Sequence, residues 1–263
     1  MERNQFTFIQ MNTSAHLLNA YDELALTIKK KAYIPGESNP FNIPFDKHKQ
    51  SAECVGLNLA LININAAVLE GSLRSLLCEV IQRDSEKLGE HTISNTDQPQ
   101  YKVLTRSYDL LKSFQEEVEF QGGWDKLKRQ YKEYLDVNLD KALDKEKTSA
   151  INSIFTLRNI AAHGTTYVVP KDTLTDDDKG TYLFKWQCKT QSLTIYTKKI
   201  FNLDVLSALQ HPCFAYHYME LTKELLNKIQ SDSFPPNAKM LLKNIRDYSF
   251  GYRNFGSLVL ENS

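Results

Sequence analysis

The sequence predicts a mainly α protein: a helical bundle with a small antiparallel β insertion of three short strands. Three features carry this expectation. Several long segments repeat their apolar residues at helical spacing. One of them, residues 54–84, is apolar on several sides at once. After Gly164 the period shortens to two, then returns to helical spacing near residue 204.

Residues 12–32 read as a first helix. Leu17, Leu18, Tyr21, Leu24 and Ile28 share a face, and Lys29, Lys30 and Lys31 fill the last turn, where the helix dipole favours cations. YIPGESNPFNIPFDKH follows as an irregular connector. Residues 1–50 are thus an N-terminal helix and arm, and residues 51–232 the main helical domain. Within 54–84, Leu57, Leu61, Ile64 and Val68 share one face, and Leu69, Leu73, Leu76, Leu77 and Val80 widen it, as in a helix central to a bundle. Glu70 lies inside this run. It reads first as a boundary carboxylate facing water, and second as one aimed at a site.

The polar loop GEHTISNTDQPQ leads to a helix over 101–119, which the glycine pair at 122–123 ends. WDKLKRQYKEYLDVNLDKAL predicts a mostly exposed helix with Trp124, Leu127, Tyr131, Tyr134 and Leu135 as its apolar stripe. Lys126, Lys128, Arg129 and Lys132 make it locally basic: a solvated face, or a patch that meets RNA phosphates. Residues 146–163 form the next helix, with Thr148 or Ser149 as cap and Gly164 suited to the left-handed position past its end.

Between about 165 and 199, TTYVV, YLFKWQC and SLTIYTKK alternate as three strands. Asp176, Asp177 and Asp178 between them read as a solvated turn, since cation loops place ligands at alternate positions. A last long helix spans 204–230, with Pro212 placed to kink or split it, and His211 and His217 as core or boundary residues. Residues 233–263 read as a tail or short helix.

Lysine plus arginine, 32, equals aspartate plus glutamate, 32, so any polyanion site must be a local patch. The N-terminus lacks a signal-peptide core, and no run approaches the apolar length that spans a bilayer. Cys54, Cys78, Cys188 and Cys213 are scattered without a C-x-x-C pair, as in reduced cytoplasmic thiols. A zinc site from Cys188, His211, Cys213 and His217 matches no common ligand spacing. The phosphate-loop, dinucleotide and H-E-x-x-H motifs are absent from the sequence, and no cofactor is expected.

The segment that carries chemistry is RNIAAHG, residues 158–164. Asn159 and His163, four apart, share a helical face. Arg158 is long enough to swing toward the groove over which His163 lies. The ribose 2′-hydroxyl of RNA is a built-in nucleophile. Its attack on the neighbouring phosphate needs a base, an acid for the leaving 5′-oxygen and a cation for the phosphorane, with no metal. Histidine changes charge near neutrality and suits the first two tasks. One histidine and one arginine make half a site, which two copies facing each other would complete. The structural alternative is that Arg158 pairs with a carboxylate such as Glu70 and that His163 caps carbonyls at the helix end.

RNIAAH at 158–163 resembles the signature of the HEPN (higher eukaryotes and prokaryotes nucleotide-binding) ribonucleases, in which an arginine and a histidine four to six residues apart end a helix of an all-α bundle. Arg158, Asn159, Ala162 and His163 match in order, and AVLEGSLRSLL looks like a helix of such bundles. The resemblance covers about residues 54–165 and the helix near 204–230. It implies a metal-independent endoribonuclease in which His163 is general acid or base, Arg158 stabilises the phosphorane and Asn159 orients phosphate or histidine, with Glu70 a helper. It implies a homodimer with a composite site, and service in bacterial toxin–antitoxin, abortive-infection or other antiviral defence, with an antitoxin or sensor protein as partner. The same fold also serves as a non-catalytic module that binds nucleotide or protein. Some toxin members carry a modified tyrosine two residues past the histidine. Thr165 holds that place here, and Tyr167 is the nearby tyrosine.

Overall fold

In the computed structural model the element from which the others are arranged is α2, Glu53–Ile93. The structure describes residues 13–32, 45–94, 100–164, 168, 174–229 and 234–247. Leu61, Ile62, Ala66, Leu69, Leu73 and Leu77 of α2 are all but inaccessible. A helix apolar all round needs neighbours on several sides. It finds them in α1 (Thr13–Ala32), α3 (Tyr101–Phe120), α5 (Lys145–His163), α8 (Phe214–Lys228) and α9 (Pro236–Asp247). Between these lie α4 (Trp124–Leu135), α6 (Tyr182–Phe201) and the short α7 (Val205–Leu209).

By length and composition α2 holds a stretch apolar enough to cross a bilayer, which corrects the expectation that no run approaches that length. Its apolar side chains are spent on the bundle core. Buried polar groups fix its register. The Asn58 amide donates to the carbonyls of Leu209 and His211 at 2.8 and 2.9 Å, and its oxygen accepts from the Ala215 N–H at 3.2 Å. The Tyr131 hydroxyl donates to the Leu73 carbonyl at 2.6 Å, tying α4 to the middle of α2.

The expected β insertion is corrected. Tyr182–Phe201 is one α-helix, and no strand occurs among the described residues. Thr181 caps it by accepting from the Phe184 N–H at 3.2 Å, and Asn202 closes it with φ 55°. Thr190, Leu193, Tyr196, Thr197 and Phe201 recur at helical spacing and form its buried side. The supposed turn KTQS holds no glycine, proline, asparagine or aspartate, so nothing interrupts the helix. TTYVV lies outside the described residues apart from Val168. Asp176–Asp178 form a 3-10 turn capped by Thr175, with Asp176 paired to Lys179 at 3.0 Å.

Other boundaries moved for local reasons. Asp144, rather than Thr148 or Ser149, caps α5 by accepting from the Lys147 N–H at 2.9 Å. The helix predicted over 124–143 stops at Asp136, which adopts φ 54°. Pro212 falls between α7 and α8, so the last long helix is split. There His211 is buried, its Nε2–H donating to the Phe45 carbonyl at 2.8 Å and its Nδ1 accepting from the Cys213 N–H at 3.1 Å, while His217 meets the Tyr196 hydroxyl at 2.7 Å. Burial pushes both imidazoles below their ordinary range, His217 to about 4. Cys188, by contrast, is exposed on α6.

Candidate functional site

The candidate centre sits on the C-terminal half of α5. One side of this helix is spent on the core: Ala150, Ile151, Ile154, Leu157 and Ile160 are buried. The other side is polar and accessible, and Gly164 ends the helix at φ 58°, as its sequence position predicts. Arg158 lies at the border between the two sides. Its Nη1 donates to the Glu70 carboxylate. Its Nε and Nη2 donate to the Asn159 side-chain oxygen at 3.2 and 3.1 Å. A guanidinium has five N–H groups. Three are thus engaged and two are left for another acceptor.

Glu70 also accepts from Arg74 at 2.7 Å, and Arg74 in turn donates to backbone carbonyls of the α3–α4 connection, including Gln121 at 3.4 Å. Only 13% of the Glu70 side chain is accessible. The primary reading of Glu70 as a carboxylate facing water is therefore corrected: a carboxylate on the central helix can be buried only because two guanidiniums neutralise it. Arg158 is paired as the structural alternative anticipates, but 24% of its side chain remains accessible, so the pairing does not seal it off.

Aromatic rings support the cation from below. The Arg158 guanidinium carbon is 5.2 Å from the centre of the Phe155 ring. Phe155 stacks on Trp124 with centroids 4.3 Å apart and an interplanar angle of 10°. The Lys128 Nζ stands 6.0 Å from the Trp124 ring. Each cation meets the negative face of a ring, which holds it without cancelling its charge. The Trp124 indole N–H donates to the Asn152 side-chain oxygen at 2.7 Å.

This assembly borders an open cleft of about 470 Å³ between α4 and α5, whose lining includes Lys126, Lys128, Asn152, Thr156, Arg158 and Asn159. Four of the sequence-predicted residues are therefore brought together. Lys126 pairs with Glu117 at 2.9 Å, and Lys128 with Asp125 and Asp140 at 3.1 and 3.0 Å. Arg129 and Lys132 do not join them. They are well exposed and reach along their own helix to Glu133 and Asp136.

His163 is exposed one turn beyond Asn159, outside the lining of this cleft. It makes no hydrogen bond among the described residues, and no bond joins it to Arg158, whose hydrogen bonds go to Glu70 and Asn159 instead. The carbonyl-capping role considered for it is not present there. Tyr167 lies outside the described residues. Asn152, Thr156, Trp124 and Phe155 were not singled out from sequence for this site. Asn152, Thr156, Asn159 and His163 are separated by four, three and four residues, a spacing that places them on one helical stripe.

The arrangement offers a fixed, partly exposed guanidinium, two lysines and two side-chain amides facing one cleft, with an unencumbered imidazole one turn away. It suits an anionic ligand. Comparison with known proteins finds no matching family model, no matching curated protein and no matching solved structure.

Proposed function

We propose that this protein is a metal-independent endoribonuclease that cleaves RNA by 2′-hydroxyl attack. The observation that carries the reading is the state of Arg158: anchored by Glu70 and Asn159, yet with two N–H groups left to receive a phosphate oxygen. An oxyanion stabiliser is most effective when it is held in place before charge develops. Here Glu70 and Asn159 do the holding, and Lys126 and Lys128 attract the phosphate. His163 is the proton-transfer group, free of competing bonds among the described residues. Asn159 orients Arg158 rather than the imidazole.

One imidazole performs one of the two proton transfers. A second copy of the chain, its α5 end facing the first, supplies the other, so the active species is a homodimer. Sedimentation of a monomer at micromolar concentration would remove this part of the reading. The resemblance of RNIAAH to the ribonuclease signature supplies the setting: a cytoplasmic enzyme of bacterial defence or a toxin–antitoxin pair, checked by a partner protein.

The test is incubation of purified protein with mixed RNA in chelator. Fragments ending in 2′,3′-cyclic phosphate, made by wild type and lost in His163→Ala, are expected. A second reading, a non-catalytic nucleotide- or protein-binding module, is favoured by one observation: Glu70 already balances the Arg158 charge inside the fold. Intact RNA from both proteins, with fold and dimer unchanged, would select it.

A further inference from the structure

The polar stripe of α5 does not stop at the cleft. Lys145, Ser149, Asn152, Thr156, Asn159 and His163 follow one another at intervals of four, three, four, three and four residues. At 3.6 residues per turn these side chains lie one above another along a single face. Each is accessible, whereas the opposite face fills the core. At a rise of 1.5 Å per residue the stripe runs for roughly 27 Å.

Two clefts open on it in succession. The first, of about 470 Å³, contains Arg158 and Asn159. The second, of about 600 Å³, lies toward the helix start and is lined by Lys141, Lys145, Thr148 and Ser149 among others. They adjoin, because Lys128 and Asn152 line both. Together the linings carry five cations, Lys126, Lys128, Lys141, Lys145 and Arg158, against two carboxylates, Asp125 and Asp140. In a chain of zero formal net charge this is a local positive strip. Glu117 and Glu70, which line neither cleft, pair with Lys126 and Arg158. Lys141 and Lys145 make no ion pair among the described residues, so their charge is available outright.

We infer that this strip is the track for single-stranded RNA, which it leads from Lys141 and Lys145, past Lys128 and Asn152, to Arg158 and His163. The inference rests on the ribonuclease reading for its direction toward His163. A single strand fits better than a duplex, because each cleft has the few hundred cubic ångströms that enclose one small ligand. The strip length suits a site of about four nucleotides. Lysines meet the phosphates, and the hydroxyls and amides between them reach sugar and base edges.

The test uses fluorescein-labelled uridine decamer and trimer with the His163→Ala protein, so that nothing is cleaved, and reads binding by anisotropy over a salt series. The decamer is expected to bind at least tenfold tighter than the trimer. The double variant Lys141→Gln/Lys145→Gln is expected to lose about tenfold for the decamer and to flatten the slope of log K against log salt by about 1.4. Trimer affinity should change less than twofold. Lys87→Gln/Lys102→Gln, on exposed positions of α2 and α3, serves as the control and should change neither; circular dichroism checks that each variant is folded. A decamer that binds no tighter than the trimer, or one indifferent to Lys141 and Lys145, overturns the track. Cleavage is scored separately with the wild-type protein. Track-dependent binding without chelator-resistant cleavage sinks the enzyme and keeps the track, whereas cleavage without lysine-dependent binding does the reverse.

Discussion

Glu70 of α2 and Arg158 of α5, 88 residues apart in sequence, form an ion pair that joins the central helix to the candidate site. The same carboxylate holds Arg74 at 2.7 Å. Arg158 is therefore positioned by the core rather than by its own loop or neighbours alone, and the site inherits the rigidity of the bundle.

Glu70→Gln keeps the shape and removes the charge, which leaves two guanidiniums facing a neutral amide. With only 13% of the Glu70 side chain accessible, the loss is expected to be on the order of 2 kcal/mol in a urea titration. RNA cleavage should fall with it, through misplacement of Arg158. Unchanged stability and unchanged cleavage together would show that the pair holds nothing in place.

Arg158→Lys preserves the positive charge but not the fork that bonds Asn159 or the plane that lies over Phe155. Single-turnover cleavage is expected to drop about 100-fold, in the range found for loss of one oxyanion donor. His163→Ala should abolish cleavage with a stability change within about 0.5 kcal/mol, as for an exposed side chain without partners. Wild-type rates in the lysine variant would mean that charge alone suffices.

Asn58→Leu probes the fold apart from the site. Asn58 is fully buried and satisfies two carbonyls and one N–H at the α7–α8 junction. Leucine fills the volume and strands the Leu209 carbonyl and the Ala215 N–H, while the His211 carbonyl keeps the Phe214 N–H at 3.1 Å. The expected cost is about 3 kcal/mol, or roughly 10 °C in melting temperature for a chain of this size. A shift within error would mean that water replaces the amide.

The pH dependence of stability has a definite sign. Burial, helped by the Lys147 charge, holds the His217 imidazole at about 4, below the ordinary 6.5, and burial lowers His211 too. Between these values the unfolded chain binds a proton that the folded chain refuses. The contribution is thus fully present above about pH 6.5 and is lost as pH falls toward 4, by up to about 3 kcal/mol for His217. Denaturant midpoints should change little from pH 7.5 to 6.5 and fall in order at 5.5 and 4.5, and His217→Gln should flatten the fall between pH 6.5 and 4.5. A profile identical in wild type and variant would locate the acid sensitivity elsewhere.

The helices around the site were legible because burial writes a period into the sequence. Leu61, Leu69, Leu73 and Leu77 mark α2 as central whatever lies against it. Gly164 marks the end of α5 because a left-handed residue is needed there. The failure at α6 has an equally local cause. YLFKWQC alternates over a few residues, and alternation that short is shared by strands and by helices with mixed faces. Leu193, Tyr196 and Phe201, read at three- to five-residue spacing, carry the signal that decides it, together with the cap at Thr181.

By itself the sequence determined the helical class, the central place of α2, and the presence of an arginine, an asparagine and a histidine at the end of one helix, because these depend on neighbours along the chain. Only the tertiary structure decided that Glu70 faces Arg158, that Trp124 and Phe155 stack beneath it, and that Lys126 and Lys128 enter the cleft while Arg129 and Lys132 do not. Those outcomes depend on which helices cross and at what rotation. That is a property of how side chains of distant segments fill a common volume, and no spacing within one segment records it.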